Sequence, residues 1–226
     1  MKQLIQQNLS LVRGEIEQAE RAAGREGKTL MLAAIKYADA QAVQALLSCG
    51  VRDVGENRVQ QLLERYEMLR EAGVRIHFIG SLQTNKVKYI VDKVDMIHSV
   101  DSPRLAAEIE RRSAAIGRTV DVLVEINSAR EEAKTGVMPE GAEELCRAVL
   151  ELPHLKLRGF MTMGAPGGDE AAQHRDFSLT HRVGDAVWRA LQLPDAPLYS
   201  MGMSGSFAAA IAEGADIIRV GRRLFT

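Results

Sequence analysis

Eight times along this chain a short run of aliphatic and β-branched residues gives way to a longer stretch of helical period. That alternation limits what the chain can fold into more than any other feature. The first run is Thr29-Leu30-Met31-Leu32-Ala33-Ala34-Ile35-Lys36, followed by a helical segment from about Asp39 that stops at Gly50. The later runs centre on Val54, His77-Phe78-Ile79, Ile97, Val122-Leu123-Val124, Leu157, Tyr199 and Ile217-Ile218. Parallel strands joined by crossover helices follow from such alternation, and eight β/α units in this length predict a single-domain (β/α)8 TIM barrel of the α/β class over residues 1–226. An amphipathic helix over about residues 3–23 precedes the first strand and is expected to close the bottom of the barrel. An open doubly wound sheet would alternate in the same way, but no Gly-x-Gly-x-x-Gly follows the first strand and no change of composition marks a second domain.

Composition narrows the function classes. With 29 Lys+Arg against 30 Asp+Glu the formal charge is −1, so no general electrostatic pull toward nucleic acid or anionic lipid is present. No apolar segment reaches the ~18 residues of a membrane span, and the start has no signal-peptide pattern, so a cytoplasmic protein is expected. Cys49 and Cys146 lie far apart, and the five histidines show no ligand spacing, which predicts two buried, reduced thiols and no metal site. His77 and His98 fall inside strands and read as packed or hydrogen-bonded. His174 and His181 share one helix face and read as solvated. The Gly164 to Asp169 stretch reads as a loose loop, and the charge run Arg130 to Lys134 as a solvated loop in which Lys134 is a minor site candidate.

A barrel carries its chemistry at the C-terminal ends of its strands. Lys36 closes a run in which only Thr29 is otherwise polar, and an ammonium at the edge of an apolar barrel is partly desolvated, which frees the amine to attack a carbonyl. The plainer alternative is a side chain that snorkels into solvent. The loops after the seventh and eighth strands, Ser200 to Ser206 and Gly221-Arg222-Arg223, stand where barrels build phosphate sites. There Ser200 and Ser204 offer hydroxyls, Gly202 and Gly221 permit close backbone approach, and Arg222 adds charge. Arg219 lies two residues before Gly221 and so faces the barrel interior, where it meets either an unprotonated ring nitrogen or a carboxylate such as Glu56 or Glu125. Aldehyde, phosphate and ring nitrogen of pyridoxal 5′-phosphate (PLP) each have a candidate partner in this set.

The runs Val54-Gly55-Glu56-Asn57, His77-Phe78-Ile79-Gly80-Ser81-Leu82-Gln83-Thr84-Asn85-Lys86, Lys134-Thr135-Gly136, Gly159-Phe160-Met161-Thr162-Met163, Ser200-Met201-Gly202-Met203-Ser204 and Arg219-Val220-Gly221 resemble the YggS/PROSC family of pyridoxal phosphate homeostasis proteins. The match covers nearly the whole chain in the right order. It implies a barrel like the N-terminal domain of alanine racemase, with PLP held as a Schiff base on Lys36. Ser200, Gly202, Ser204 and Gly221 match the family's phosphate cradle, Arg219 the arginine at the pyridine nitrogen, and Asn57 a polar residue near the ring. Four departures stand out. Ile35 and Tyr37 flank Lys36 where Ser and Thr are usual, Ser81 replaces a His, Gly205 an acidic residue, and Arg222 a Thr or Ser.

The resemblance further implies intracellular PLP homeostasis and amino-acid balance without established catalytic turnover, with PLP-dependent apoenzymes as partners; a monomer is expected because the barrel needs no partner to complete the site. Racemisation needs a second base, which alanine racemase draws from a partner subunit through an additional β domain that this sequence does not contain. A small PLP-dependent amino-acid racemase or lyase is the alternative, with Lys36 as one base and Tyr37 as a candidate for the other.

Overall fold

The computed structural model describes residues 1–131, 134–164 and 169–226. Residues 165–168 of the expected loose loop and 132–133 of the charge run lie outside the described residues. Eight strands pair in parallel and in chain order, and β1 (Leu30–Ala34) pairs with β8 (Ile217–Val220) to close the barrel, which excludes the open sheet. Between them stand β2 (Asp53–Glu56), β3 (Arg75–Phe78), β4 (Met96–Val100), β5 (Val120–Glu125), β6 (Leu155–Met161) and β7 (Leu198–Met203).

The helices form where local chemistry starts them. In α2 (Ala40–Ser48) the Asp39 carboxylate accepts from the Ala42 N–H at 2.7 Å, and α4 (Pro103–Ala115) begins with Ser102 as cap and Pro103 in its first turn. The remaining helices are α3 (Val59–Glu71), α5 (Ala142–Leu150), α6 (Glu170–Ala190) and α7 (Phe207–Ala212). The crossover after β3 is a 3₁₀ helix, Thr84–Tyr89.

The N-terminal helix α1 (Lys2–Ala23) does not plug the bottom of the barrel. It packs against α7, α2 and the final 3₁₀ turn, Arg222–Leu224, and so fills the place in the outer ring that a helix after β8 would take. The physical reason is that β8 is followed only by that short turn, which leaves its outer face bare. Ile5, Leu9, Val12 and Ile16 cover it, and Asn8 Nδ2 donates to the carbonyls of Leu224 and Thr226. At the other end the buried Glu20 carboxylate accepts from the N–H groups of Gly27 and Thr29, which aligns the entry into β1.

Most of the apolar core lies between strands and helices. Inside the barrel, packing is split into two smaller clusters, Leu32, Ala34, Ile79 and Ile217 on one side and Met96, Leu123 and Met161 on the other. Buried polar groups separate them.

The placement of α1 is testable by truncation of its buried face. Leu9→Ala is expected to cost about 2–5 kcal/mol in urea unfolding, as for a core leucine, whereas Leu11→Ala, on the exposed face, should change stability by no more than about 0.5 kcal/mol.

Candidate functional site

A cavity of about 400 Å³ opens at the C-terminal ends of the strands. Lys36, Asn57, Ser204, Arg219, Gly221 and Arg222 line it, joined by Met163, Gln173 and Phe177 from β6's exit and α6. These six are residues expected from the sequence.

Lys36 lies two residues beyond the end of β1, on the loop to α2, rather than on the strand itself. The loop is nonetheless fixed. Arg65 reaches back from α3, and its guanidinium donates to the carbonyls of Ile35 (3.0 Å) and Ala38 (2.5 Å) and to Glu56 Oε2 (2.7 Å), while Gln61 Nε2 donates to the Lys36 carbonyl at 3.3 Å. The backbone on both sides of the lysine is thus clamped and only its side chain can move. Its Nζ sits 4.8 Å from the centroid of the exposed Tyr37 ring, and no ion pair engages it among the described residues.

Arg219 projects from β8 into the barrel and is 3% exposed. Nη1 donates to the Ser200 carbonyl (2.8 Å) and to Ser200 Oγ (2.7 Å), and Nη2 donates to the Thr162 carbonyl (2.7 Å) and faces the Met163 sulfur at 3.6 Å. Neither carboxylate considered from the sequence is bonded to it. Glu56 belongs to Arg65, and Glu125 accepts from Thr135 Oγ1 at 2.8 Å. Burial pulls the guanidinium down to about 10, with Glu125 opposing from a distance, so it stays charged at neutral pH. Burial likewise holds the Glu125 carboxyl above its usual range. A buried cation whose bonded partners are all neutral acceptors is costly unless something completes it, and this one forms part of a cavity wall.

The two loops expected to hold phosphate meet directly, since the Gly221 N–H donates to Ser204 Oγ at 3.2 Å. Ser204 keeps its own hydrogen to offer to a ligand, and the exposed Arg222 stands beside it. Ser200 and Gly202 are not in the cavity wall. Ser200 is fully buried beneath Arg219, its hydroxyl held by the arginine and by His98 Nδ1 at 2.9 Å. Gly202 has φ +87°, and a Cβ there would stand 2.5 Å from Ala210 Cβ, so its glycine serves the packing of α7 on β7.

Asn57 lines the cavity just past β2, and its Oδ1 is buried with no hydrogen-bond partner. An orphaned acceptor, an unpaired amine and an incompletely neutralised guanidinium around one space suit a ligand with hydroxyl or other donor groups, an electrophilic carbon and negative charge.

Sequence reasoning missed the Arg65–Gln61 clamp and the hydrogen bonds beneath Arg219. His77 and His98 are hydrogen-bonded inside the barrel, as their place in strands suggested. His174 and His181 are half-buried rather than solvated, His174 against Glu213 at 2.8 Å and His181 over the Tyr199 ring. Cys146 is buried and Cys49 only partly so, and no group of metal-ligating side chains occurs among the described residues. No helix of the described residues is long and apolar enough to cross a membrane.

The family model of the alanine racemase N-terminal domain matches residues 5–226. The pyridoxal phosphate homeostasis protein of Aquifex aeolicus (strain VF5) is 40% identical over 97% of this chain and 96% of its own. Among solved structures, an unknown protein from Bifidobacterium adolescentis superposes with a TM-score of 0.92 at 36% identity over 99% of this chain and 95% of that one. PipY of Synechococcus elongatus PCC7942, solved with PLP bound, gives a TM-score of 0.87 at 27% identity over 98% of this chain and all of that one.

The clamp on the Lys36 loop predicts that Arg65→Ala leaves Glu56 buried without its partner. The loss should be about 3–5 kcal/mol in urea unfolding, with faster hydrogen exchange at the Ala38 amide, which bonds the Ile35 carbonyl.

Proposed function

Since the chain belongs to the alanine racemase N-terminal domain family and, within it, to the pyridoxal phosphate homeostasis proteins, we propose that the cavity binds PLP through Lys36, Asn57, Ser204, Arg219, Gly221 and Arg222. The observation that carries the reading is the set of groups gathered at one cavity. Lys36 and the Arg219 guanidinium line it without a bonded carboxylate, and Asn57, whose buried Oδ1 has no hydrogen-bond partner among the described residues, lines it too. When bound, PLP supplies an aldehyde that Lys36 holds as a Schiff base and a pyridine ring that can delocalise charge.

Each residue then has a task that its surroundings support. Ser204 donates its hydroxyl to the phosphate while the Gly221 N–H keeps its oxygen in place, and Arg222 contributes charge at the rim where the family's usual hydroxyl is absent. Asn57 Oδ1 accepts a hydrogen bond from the ring hydroxyl. Arg219, a donor that remains protonated, gives a hydrogen bond to the pyridine nitrogen and so keeps that nitrogen unprotonated. Ser200 and Gly202 act from below, the first on Arg219 and the second on the packing of α7.

The biological role in this reading is the holding and release of PLP inside the cell for PLP-dependent apoenzymes, which maintains amino-acid balance, rather than turnover of a substrate. An unprotonated ring nitrogen is a weak electron sink, which supports holding over chemistry at an amino-acid α-carbon. The barrel closes on itself and its own mouth forms the cavity, which supports residues 1–226 as one PLP-binding domain and a monomer. Free cysteines support a reducing, cytoplasmic setting.

Purified protein incubated with PLP should acquire visible absorbance, and borohydride followed by mass spectrometry should place the modification on Lys36. Lys36→Ala should abolish both signals, and Ser204→Ala should weaken PLP binding by about tenfold. A protein that stays colourless, or a modification on another lysine, defeats the assignment. Amino acids added in deuterated solvent should exchange no α-proton at a rate above that of free PLP.

A further inference from the structure

The barrel interior holds a line of buried polar side chains that none of the cavity contacts requires. Asp53 at the start of β2, His77 on β3, His98 on β4 and Ser200 on β7 are each 7% exposed or less, and the line ends on Arg219 of β8. His98 Nδ1 lies 2.9 Å from Ser200 Oγ and His98 Nε2 lies 2.9 Å from His77 Nδ1, while His77 Nε2 faces Asp53 Oδ1 at 3.4 Å, an electrostatic contact rather than a formed hydrogen bond, since neither of those two atoms has a hydrogen-bond partner among the described residues. The line therefore crosses from the β2–β4 wall to the β7–β8 wall and climbs from the N-terminal end of the strands to the floor of the cavity.

The chemistry of its two ends favours one direction along the line. A guanidinium has only donors, so Ser200 Oγ accepts from Arg219, which leaves the single hydroxyl hydrogen free to pass to His98 Nδ1. A carboxylate has only acceptors, so the negative charge of Asp53 favours a hydrogen on the His77 Nε2 that faces it, which leaves Nδ1 to accept from His98 Nε2–H. In this direction both rings carry their hydrogen on Nε2. At His98 the environment agrees, since burial above all holds it well below the usual imidazole range. Burial raises the Asp53 carboxyl, but His77 and Arg75 outweigh it and keep the group below its ordinary value.

Buried imidazoles are an expensive way to fill a barrel whose neighbouring interior positions are Leu32, Ile79, Ile217, Met96, Leu123 and Met161. Their bonds lead to one functional group. We propose that Asp53, His77 and His98 are positioning residues that, through Ser200, hold the Arg219 guanidinium in register with the cofactor ring. Arg219 has no bonded carboxylate, and the oriented chain connects it to one across the barrel through groups that stay neutral. The proposal rests on the PLP reading for what Arg219 faces, but not for the chain itself.

Two measurements test it. In the protein before PLP is added, nitrogen-15 NMR of the imidazoles at neutral pH should show His77 and His98 as neutral Nε2–H tautomers. A charged ring or an Nδ1–H tautomer at either overturns the directed chain. With PLP, Asp53→Asn, which alters a residue outside the cavity wall, should shift the visible band and weaken binding by roughly threefold to tenfold. His98→Leu should do at least as much, and His98→Gln, which retains a donor and an acceptor, should restore part of it.

The decisive comparison places Asp53→Asn in an Arg219→Gln background. A chain that acts through the arginine has nothing left to act on, so the second substitution should leave band and affinity unchanged. If Asp53→Asn lowers the melting temperature alone, or changes PLP affinity equally in both backgrounds, the residues serve stability and the proposal fails. Should the wild-type protein take up no PLP at all, the cofactor reading falls, and the imidazole tautomers alone decide whether the chain exists.

Discussion

A guanidinium buried inside a barrel, bonded only to neutral acceptors, is the constraint around which the rest of this site is arranged. Taking such a charge out of water costs several kcal/mol even after relaxation, and the nearby carboxylate that would offset it most simply, Glu125, is turned toward Thr135. The surrounding strands answer with carbonyls instead. Thr162, just past β6, and Ser200 in β7 aim theirs at the arginine, and the Ser200 hydroxyl adds a third oxygen. These polar insertions also explain why the inner packing breaks into two small aliphatic clusters while the outer layer forms one continuous core.

The two groups that would contact the ends of a cofactor are held by different devices. Arg219 is part of a strand and inherits the rigidity of the closed sheet. Lys36 sits on a loop, where rigidity has to be imported, and Arg65 supplies it by binding carbonyls on both sides of the lysine while its charge is balanced by Glu56. A lysine that forms and breaks a covalent bond benefits from a mobile side chain on a fixed backbone, whereas an arginine that sets the state of a ring nitrogen benefits from having no freedom at all.

Much of this could be read from the residues. Short aliphatic and β-branched runs set between stretches of helical period located all eight strands, and strand-end glycines and serines pointed to the loops after β7 and β8 because barrel mouths are built there. What could not be read was what lies opposite what. His77, His98 and Ser200 occupy inward positions on three strands, but their meeting across the interior depends on the stagger and tilt of the closed sheet, which no local pattern encodes. The same limit misplaced Ser200. A hydroxyl beside a phosphate loop looks like a ligand, but Ser200 faces the interior below the cavity, where Arg219 and His98 engage it. The N-terminal helix was found with nearly its true ends, yet its role changed from plug to outer-ring helix because the turn after β8, too short to cover its own strand, leaves the groove that α1 fills.

The interior polar line shows why the floor of such a site belongs to the barrel and not to its loops. Replacement of His77 and His98 by aliphatic residues would remove the desolvation cost of two imidazoles and could even raise stability. It would also leave the Ser200 hydroxyl without its acceptor, and Arg219 with one fewer fixed contact. Stability and site geometry therefore make opposing demands at the same two positions. The barrel carries imidazoles at both positions although the leucine and methionine on either side meet the packing demand at lower desolvation cost.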